Sequence, residues 1–237
     1  MTAILSNMQA VRRAIAQAAQ QAGREVAGIT LLAVSKTFPA AAVREAYAAG
    51  QRAFGENYLQ EALDKMAELR DLPLEWHFIG PIQSNKTRPI AENFSWVHSV
   101  DRLKVAERLS EQRPAHLPPL NVCLQVNVSG EDSKSGVALQ EAAALAQAIS
   151  LLPRLRLRGL MAIPAPAATL AAQRVPFAQL RNLQQQLNAA PPQGAGMGLD
   201  TLSMGMSHDL AAAILEGATM VRVGTAIFGS RNYGEKR

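Results

Sequence analysis

Lys36 is the residue of this sequence with the clearest chemical opportunity. It follows the apolar run 31–35 and precedes a Thr37-Phe38-Pro39 turn, so it stands at the carboxyl end of a short strand. An ammonium in an apolar setting is costly to ionise, and the neutral amine is a nucleophile that condenses with aldehydes to a Schiff base. The competing reading is a lysine that lays its stem along the strand end and keeps its head in water. Two stretches near the carboxyl end bear on that choice. Ser203-Met204-Gly205-Met206-Ser207 leads into a helical pattern over 208–216, with Ser207 placed as its N-cap. Gly224-Thr225 follows an apolar run, Gly224 allowing close approach and Thr225 adding a hydroxyl beside open amides. Together they suit a phosphate; taken separately they are a helix cap and a turn. Arg222 sits between Val221 and Val223, so strand alternation sends its guanidinium to the face opposite the valines. A buried arginine needs an acceptor, which can be a carboxylate or the ring nitrogen of a heteroaromatic ligand.

The elements that must position these groups alternate with unusual regularity. Strand patterns fall at 30–35, 52–55, 76–79, 96–99, 120–128, 155–163, 201–203 and 220–223. Helical patterns lie between them at 39–49, 58–70, 83–92, 102–112, 138–151, 170–189 and 208–216. Eight strands with seven crossover helices predict an α/β fold, a single (β/α)8 TIM barrel spanning residues 1–237 as one domain. An extra N-terminal helix is read from Ile4, Met8, Val11 and Ile15, with Gly23 as its stop. A doubly wound open sheet would carry a glycine-rich loop after its first strand, and Ser-Lys-Thr-Phe-Pro is not one. In a barrel the residues just past each strand share one rim, and the loops after strands seven and eight are the usual phosphate site. Lys36, Asn57, Ser203, Met204, Ser207, Arg222, Gly224 and Thr225 therefore belong to one mouth. The biased stretches 164–172 and 189–198 read as loops rather than linkers.

Composition narrows the partners. The net charge is +5, yet Lys and Arg are scattered among acids and no aromatic platform accompanies them, which argues against nucleic acid. The alternating Arg154, Arg156 and Arg158 are expected on one strand face as ion-paired structural residues. The apolar runs are strand-sized, so no membrane span is expected. One cysteine, Cys123, excludes an intrachain disulfide and suits a cytoplasmic location. His77, His98, His116 and His208 show no metal-ligand spacing.

At this point the sequence resembles the pyridoxal-phosphate homeostasis protein family, relatives of the alanine racemase N-terminal barrel. The resemblance runs colinearly through AVSKT, FGENYLQEALDK, WHFIGPIQSNK, DSKSG, RGLMAIP, LSMGMSHD and VRVGTAIFG. It implies pyridoxal 5'-phosphate as cofactor, with Lys36 as the Schiff-base lysine. It also implies phosphate contacts at Ser207, Gly224 and Thr225, and a ring-nitrogen contact at Arg222. Asn57, Ser203 and Met204 fall in motifs lining the same pocket.

Three functions are open to a lysine so placed. A racemase needs an acid/base on each face of the α-carbon. In alanine racemase the second resembles a tyrosine from a further C-terminal domain, and only fourteen residues follow Val223 here. Of Tyr47, Tyr58 and Tyr233, only Tyr58 is placed near the rim. An arginine at the ring nitrogen also leaves the pyridine a weak electron sink. The favoured reading is a cytoplasmic carrier or regulator of vitamin B6 and amino-acid homeostasis, expected as a monomer, with apo-enzymes as recipients. The alternatives are a slow PLP-dependent amino-acid racemase and a cofactor-free Schiff-base aldolase. Lys134 and Lys86 are possible second attachment points.

Overall fold

The computed structural model describes residues 2–130, 135–189 and 198–230. Its strands are β1 (Thr30–Val34), β2 (Ala53–Glu56), β3 (Glu75–Phe78), β4 (Trp96–Val100), β5 (Leu120–Asn127), β6 (Val137–Ala138), β7 (Leu155–Met161), β8 (Thr201–Ser203) and β9 (Met220–Val223). All pairings are parallel, in the order β4-β3-β2-β1-β9-β8-β7-β5, and a further β4–β5 pairing closes the ring. Eight strands thus form a closed barrel, as their spacing predicts, while the two-residue β6 only edges β5. Helices α2 (Ala40–Ala48), α3 (Leu59–Glu68), α4 (Thr87–Asn93), α5 (Leu103–Gln112), α6 (Ala142–Ser150), α7 (Leu170–Ala189) and α8 (Leu210–Leu215) supply the crossovers. A short α9 (Thr225–Phe228) follows the last strand and has no counterpart in the sequence pattern, being a single turn.

The leading helix α1 (Ala3–Gln21) starts at Thr2, whose hydroxyl accepts the Leu5 N–H, and buries Met8, Val11, Ile15, Ala18 and Ala19. That stripe packs against α8, α9 and α2, so the helix is part of the folded wall. The main hydrophobic core lies between barrel and helices, from Phe54 and Val97 on the wall to Val43, Leu109 and Phe177 on the helices. The barrel interior is different. It holds two small apolar groups, Leu32, Ala53 and Met220, and Trp96, Cys123 and Met161. His77, His98, Ser203 and Arg222 are also buried.

Three local expectations change. The helix read over 138–151 begins only at Ala142, because Val137–Ala138 pair with Val126–Asn127 instead. Arg154 does not share the surroundings of Arg156 and Arg158, both of which act on Asp200. Arg154 bonds the carbonyls of Ser110 and Glu111, whereas Arg158 pairs with Asp200 and lies 4.8 Å over the Trp96 ring. Arg154 precedes β7, which starts at Leu155, so strand alternation does not reach it, and the register of β7 against β5 shifts at Arg158, between Leu157 and Gly159. Lys134, Tyr233 and most of the 189–198 loop lie outside the described residues. Among the described residues no helix is long and apolar enough to cross a membrane.

Candidate functional site

At the carboxyl rim of the barrel is a cavity of about 180 Å³ lined by Lys36, Asn57, Ser207, Arg222, Gly224 and Thr225, together with Val34, Ile79, Ile163, Met206 and His208. Six of the eight residues marked in the sequence are therefore brought together. Their positions follow from alternation: Val34 and Lys36 continue one face of β1, and Arg222 and Gly224 one face of β9. The direct pairing of β1 with β9, with Ala33 opposite Val223, sets the lysine beside the glycine.

The other two marked residues lie elsewhere. Ser203 is fully buried beneath the cavity as a hydrogen-bond acceptor for Arg222, not on its lining. Met204 is also fully buried but belongs to the hydrophobic core, since the residue after an inward serine points outward. Ser207 lines the cavity without being a helix cap. The helix begins at Leu210 after Asp209, whose carboxylate accepts the Met206 N–H at 2.6 Å. Asp209 stands at the N-cap position in place of Ser207, but its side chain bonds back to Met206 and caps no first-turn amide of the helix.

The anion-facing wall consists of two turns. Gly205 has φ +92°, and a Cβ there would meet the Ala213 Cβ at 2.5 Å, so the chain tucks against α8 only as glycine. Gly224 precedes α9, whose first amides have no helical acceptor. A Cβ at Gly224 would come within 3.2 Å of the Val34 carbonyl, beside the strand that carries Lys36.

Arg222 is 4% exposed and has no carboxylate in ion-pair contact among the described residues. Its Nη1 donates to the Ser203 carbonyl at 2.6 Å and to Ser203 Oγ at 2.8 Å, and its Nη2 donates to the Ala162 carbonyl at 2.9 Å. A guanidinium has five N–H donors, so these three bonds leave two over. Burial lowers its pKa to about 10, opposed by the charges of Asp209 and Cys123. Among the described residues, the carboxylate acceptor that would make this arginine merely structural is absent from its contacts. Asn57 Oδ1 is likewise buried without a hydrogen-bond partner, on the same lining.

Behind the wall is a polar cluster whose role the sequence did not disclose. Lys65 of α3 is 4% exposed, and its Nζ contacts Glu56 Oε1 at 2.7 Å, Glu61 Oε1 at 2.6 Å and the Ser35 carbonyl at 2.7 Å. Ser35 Oγ donates to Glu56 Oε1 at 2.6 Å, and the Thr37 N–H donates to Glu61 Oε1 at 2.6 Å. The residues on both sides of Lys36 are thus tied to one ion cluster. Thr37 holds φ at 69°, uncommon for a β-branched residue, and the bond from its N–H is what opposes that strain. Desolvation raises the Glu56 pKa, against the charge and hydrogen bond of Lys65. The partners lie far apart in sequence, which hides them; the only hint was Glu56 at the end of β2 and Lys65 on the inner face of an amphipathic helix.

A closed parallel barrel with a lysine at its mouth and turns after its last two strands defines an alanine racemase N-terminal type of domain. That family, described as alanine racemase, N-terminal domain, matches residues 6–232. A pyridoxal phosphate homeostasis protein of Pseudomonas aeruginosa is 69% identical over 234 residues, 99% of this chain and 98% of that one. Its counterpart in Escherichia coli K12 is 54% identical over 239 residues, covering 100% of both. The solved structure of PipY from Synechococcus elongatus with PLP bound is 41% identical, with a TM-score of 0.83 over 95% of this chain and 100% of that one. The chain belongs to the pyridoxal phosphate homeostasis protein family.

Proposed function

We propose that this protein holds pyridoxal 5'-phosphate as a Schiff base on Lys36 and serves vitamin B6 and amino-acid homeostasis as a carrier or regulator. The observation that carries this reading is Arg222. It is a buried cation with no carboxylate in contact among the described residues and two N–H donors left over, on the same cavity as Lys36. A pyridine nitrogen is an acceptor of the right kind for those donors. The orphaned Asn57 Oδ1 and the close approach allowed at Gly224 also suit a ligand of this shape. The cofactor's aldehyde supplies reversible carbonyl chemistry toward amines. The chain does the rest. Ser207, Gly224 and Thr225 would hold the phosphate through hydroxyl and amide groups, Arg222 would orient the ring, and Asn57 and Ile79 line the same cavity.

Lys36 is half-buried, so its amine lies where an incoming amine from solvent can compete for the aldehyde. Reversible hold and release through amine exchange is the property a carrier needs. Lys65, Glu56 and Glu61 act on the backbone around Lys36 and not on the ligand. The test is a titration with pyridoxal 5'-phosphate followed by absorbance. Wild type should develop a saturable band to the red of the free aldehyde, and Lys36→Ala should not. A wild type that never develops that band contradicts the proposal.

A further inference from the structure

Arg222 is the upper end of a hydrogen-bonded chain that crosses the barrel interior. Ser203 Oγ, which accepts from Arg222, lies 2.8 Å from His98 Nδ1. His98 Nε2 lies 2.9 Å from His77 Nδ1, and His77 Nε2 lies 2.8 Å from Glu75 Oε1. The two rings are fully buried, whereas the Glu75 side chain is 49% exposed at the opposite, amino-terminal rim. His77 stacks on Trp96 at 5.5 Å with 7° between planes.

Only one arrangement of protons satisfies every link with an ionised Glu75 and neutral rings. The carboxylate can only accept, so His77 carries its proton on Nε2 and leaves Nδ1 bare. His98 must then donate from Nε2, which leaves its own Nδ1 bare, and the Ser203 hydroxyl donates there. That turns a Ser203 lone pair toward Arg222, which can only donate. Four bonds therefore run in one direction, from guanidinium to carboxylate. Burial holds both imidazole pKa values low, that of His98 well below the usual range, with the neighbouring His77 and Arg222 charges adding to it. The His77 bond keeps Glu75 below the usual carboxylate value. Both directions favour the same proton pattern.

We infer that Glu75, His77 and His98 are positioning residues for the cofactor site. Through Ser203 they fix Arg222 so that its remaining donors face the ring nitrogen of the ligand. This rests on the ligand reading above. A chain of aligned polar bonds polarises its members, so the distant carboxylate makes Ser203 Oγ a stronger acceptor for the buried cation. Nothing else in contact with Arg222 carries negative charge among the described residues.

The test uses Glu75→Gln, which keeps an acceptor oxygen at a half-exposed position while removing the charge, and His98→Gln as a second, interior variant. Nitrogen-15 NMR of the histidine rings in cofactor-free wild type should show His77 and His98 neutral and protonated at Nε2 near neutral pH. Glu75→Gln should mix the ring tautomers and weaken pyridoxal 5'-phosphate retention roughly three- to tenfold, the worth of one weakened hydrogen bond. An analogue with C–H in place of the ring nitrogen should bind wild type and Glu75→Gln equally. Either ring protonated at Nδ1, unchanged retention in Glu75→Gln, or equal loss for cofactor and analogue overturns the inference. A wild type that binds neither ligand refutes the ligand reading instead, and the NMR result still judges the chain.

Discussion

Replacing Lys65 with methionine isolates what the ion cluster behind Lys36 contributes. Lys65 has three acceptors within 2.7 Å, and one of them, Glu56, has a side chain of 0% exposure. Glu61 is 31% exposed and can turn to water, so losing its pair costs little, about 0–1 kcal/mol. Glu56 cannot turn away. Removing one member of a buried pair costs about 3–5 kcal/mol, so Lys65→Met should lose about that much near pH 7.5. Glu56 limits the loss by taking up a proton. Desolvation already raises its pKa, and deleting Lys65 removes the strongest opposing influence. A carboxyl raised in the folded state is destabilising above its folded pKa, and that deficit shrinks as pH falls through it. The variant should therefore recover toward wild type near pH 5. Lys65→Met/Glu56→Gln should be more stable than Lys65→Met at the higher pH, leaving chiefly the Ser35 carbonyl without its donor, about 1–2 kcal/mol. Urea unfolding followed by Trp76 and Trp96 fluorescence at the two pH values measures all three chains. A loss below about 1 kcal/mol, or one equal at both pH values, would refute the reasoning.

Thr37→Gly relieves a positive φ, and its expected stability change is near zero or a gain of up to about 1 kcal/mol, although glycine also loosens the unfolded chain. The same variant should hold pyridoxal 5'-phosphate less tightly, because the residue after Lys36 loses its preset turn; dialysis against buffer measures this. His77 and His98 stay neutral in the fold while the unfolded chain takes up protons below about pH 6.5, so their contribution is lost as pH falls. Each ring adds up to ~1.4 kcal/mol per pH unit to that slope, and His98→Gln should make the acid limb of a stability–pH curve shallower. An unchanged slope would mean that His98, which faces His77 and Arg222, titrates normally in the fold.

The barrel was legible because its strands are bounded by strong turn residues. Strands 201–203 and 220–223 were read to the residue, and the end of β1 fell within one residue. Lys36, Arg222 and Gly224 were readable because position on a strand and alternation decide which way each points. What stayed hidden depends on contacts between distant segments. Ser35 follows β1, Glu56 ends β2 and Lys65 lies on α3, and their shared ion cluster exists only once α3 lies on the barrel wall. The histidine pair has no spacing signature, since its members stand on neighbouring strands whose register sets Trp96, not His98, opposite His77. Met204 and Ser207 show the opposite failure. A motif marked both for the pocket, but the outward step after Ser203 sends Met204 into the core, and the helix begins only after Asp209, so Ser207 lines the cavity without capping it.

Borohydride reduction after incubation with pyridoxal 5'-phosphate, followed by peptide mapping, addresses the central claim most directly. The account predicts one dominant pyridoxyl-lysine, on the peptide containing Lys36, formed at stoichiometric cofactor and absent from Lys36→Ala. Label spread over surface lysines, or concentrated on a lysine other than Lys36, would contradict it.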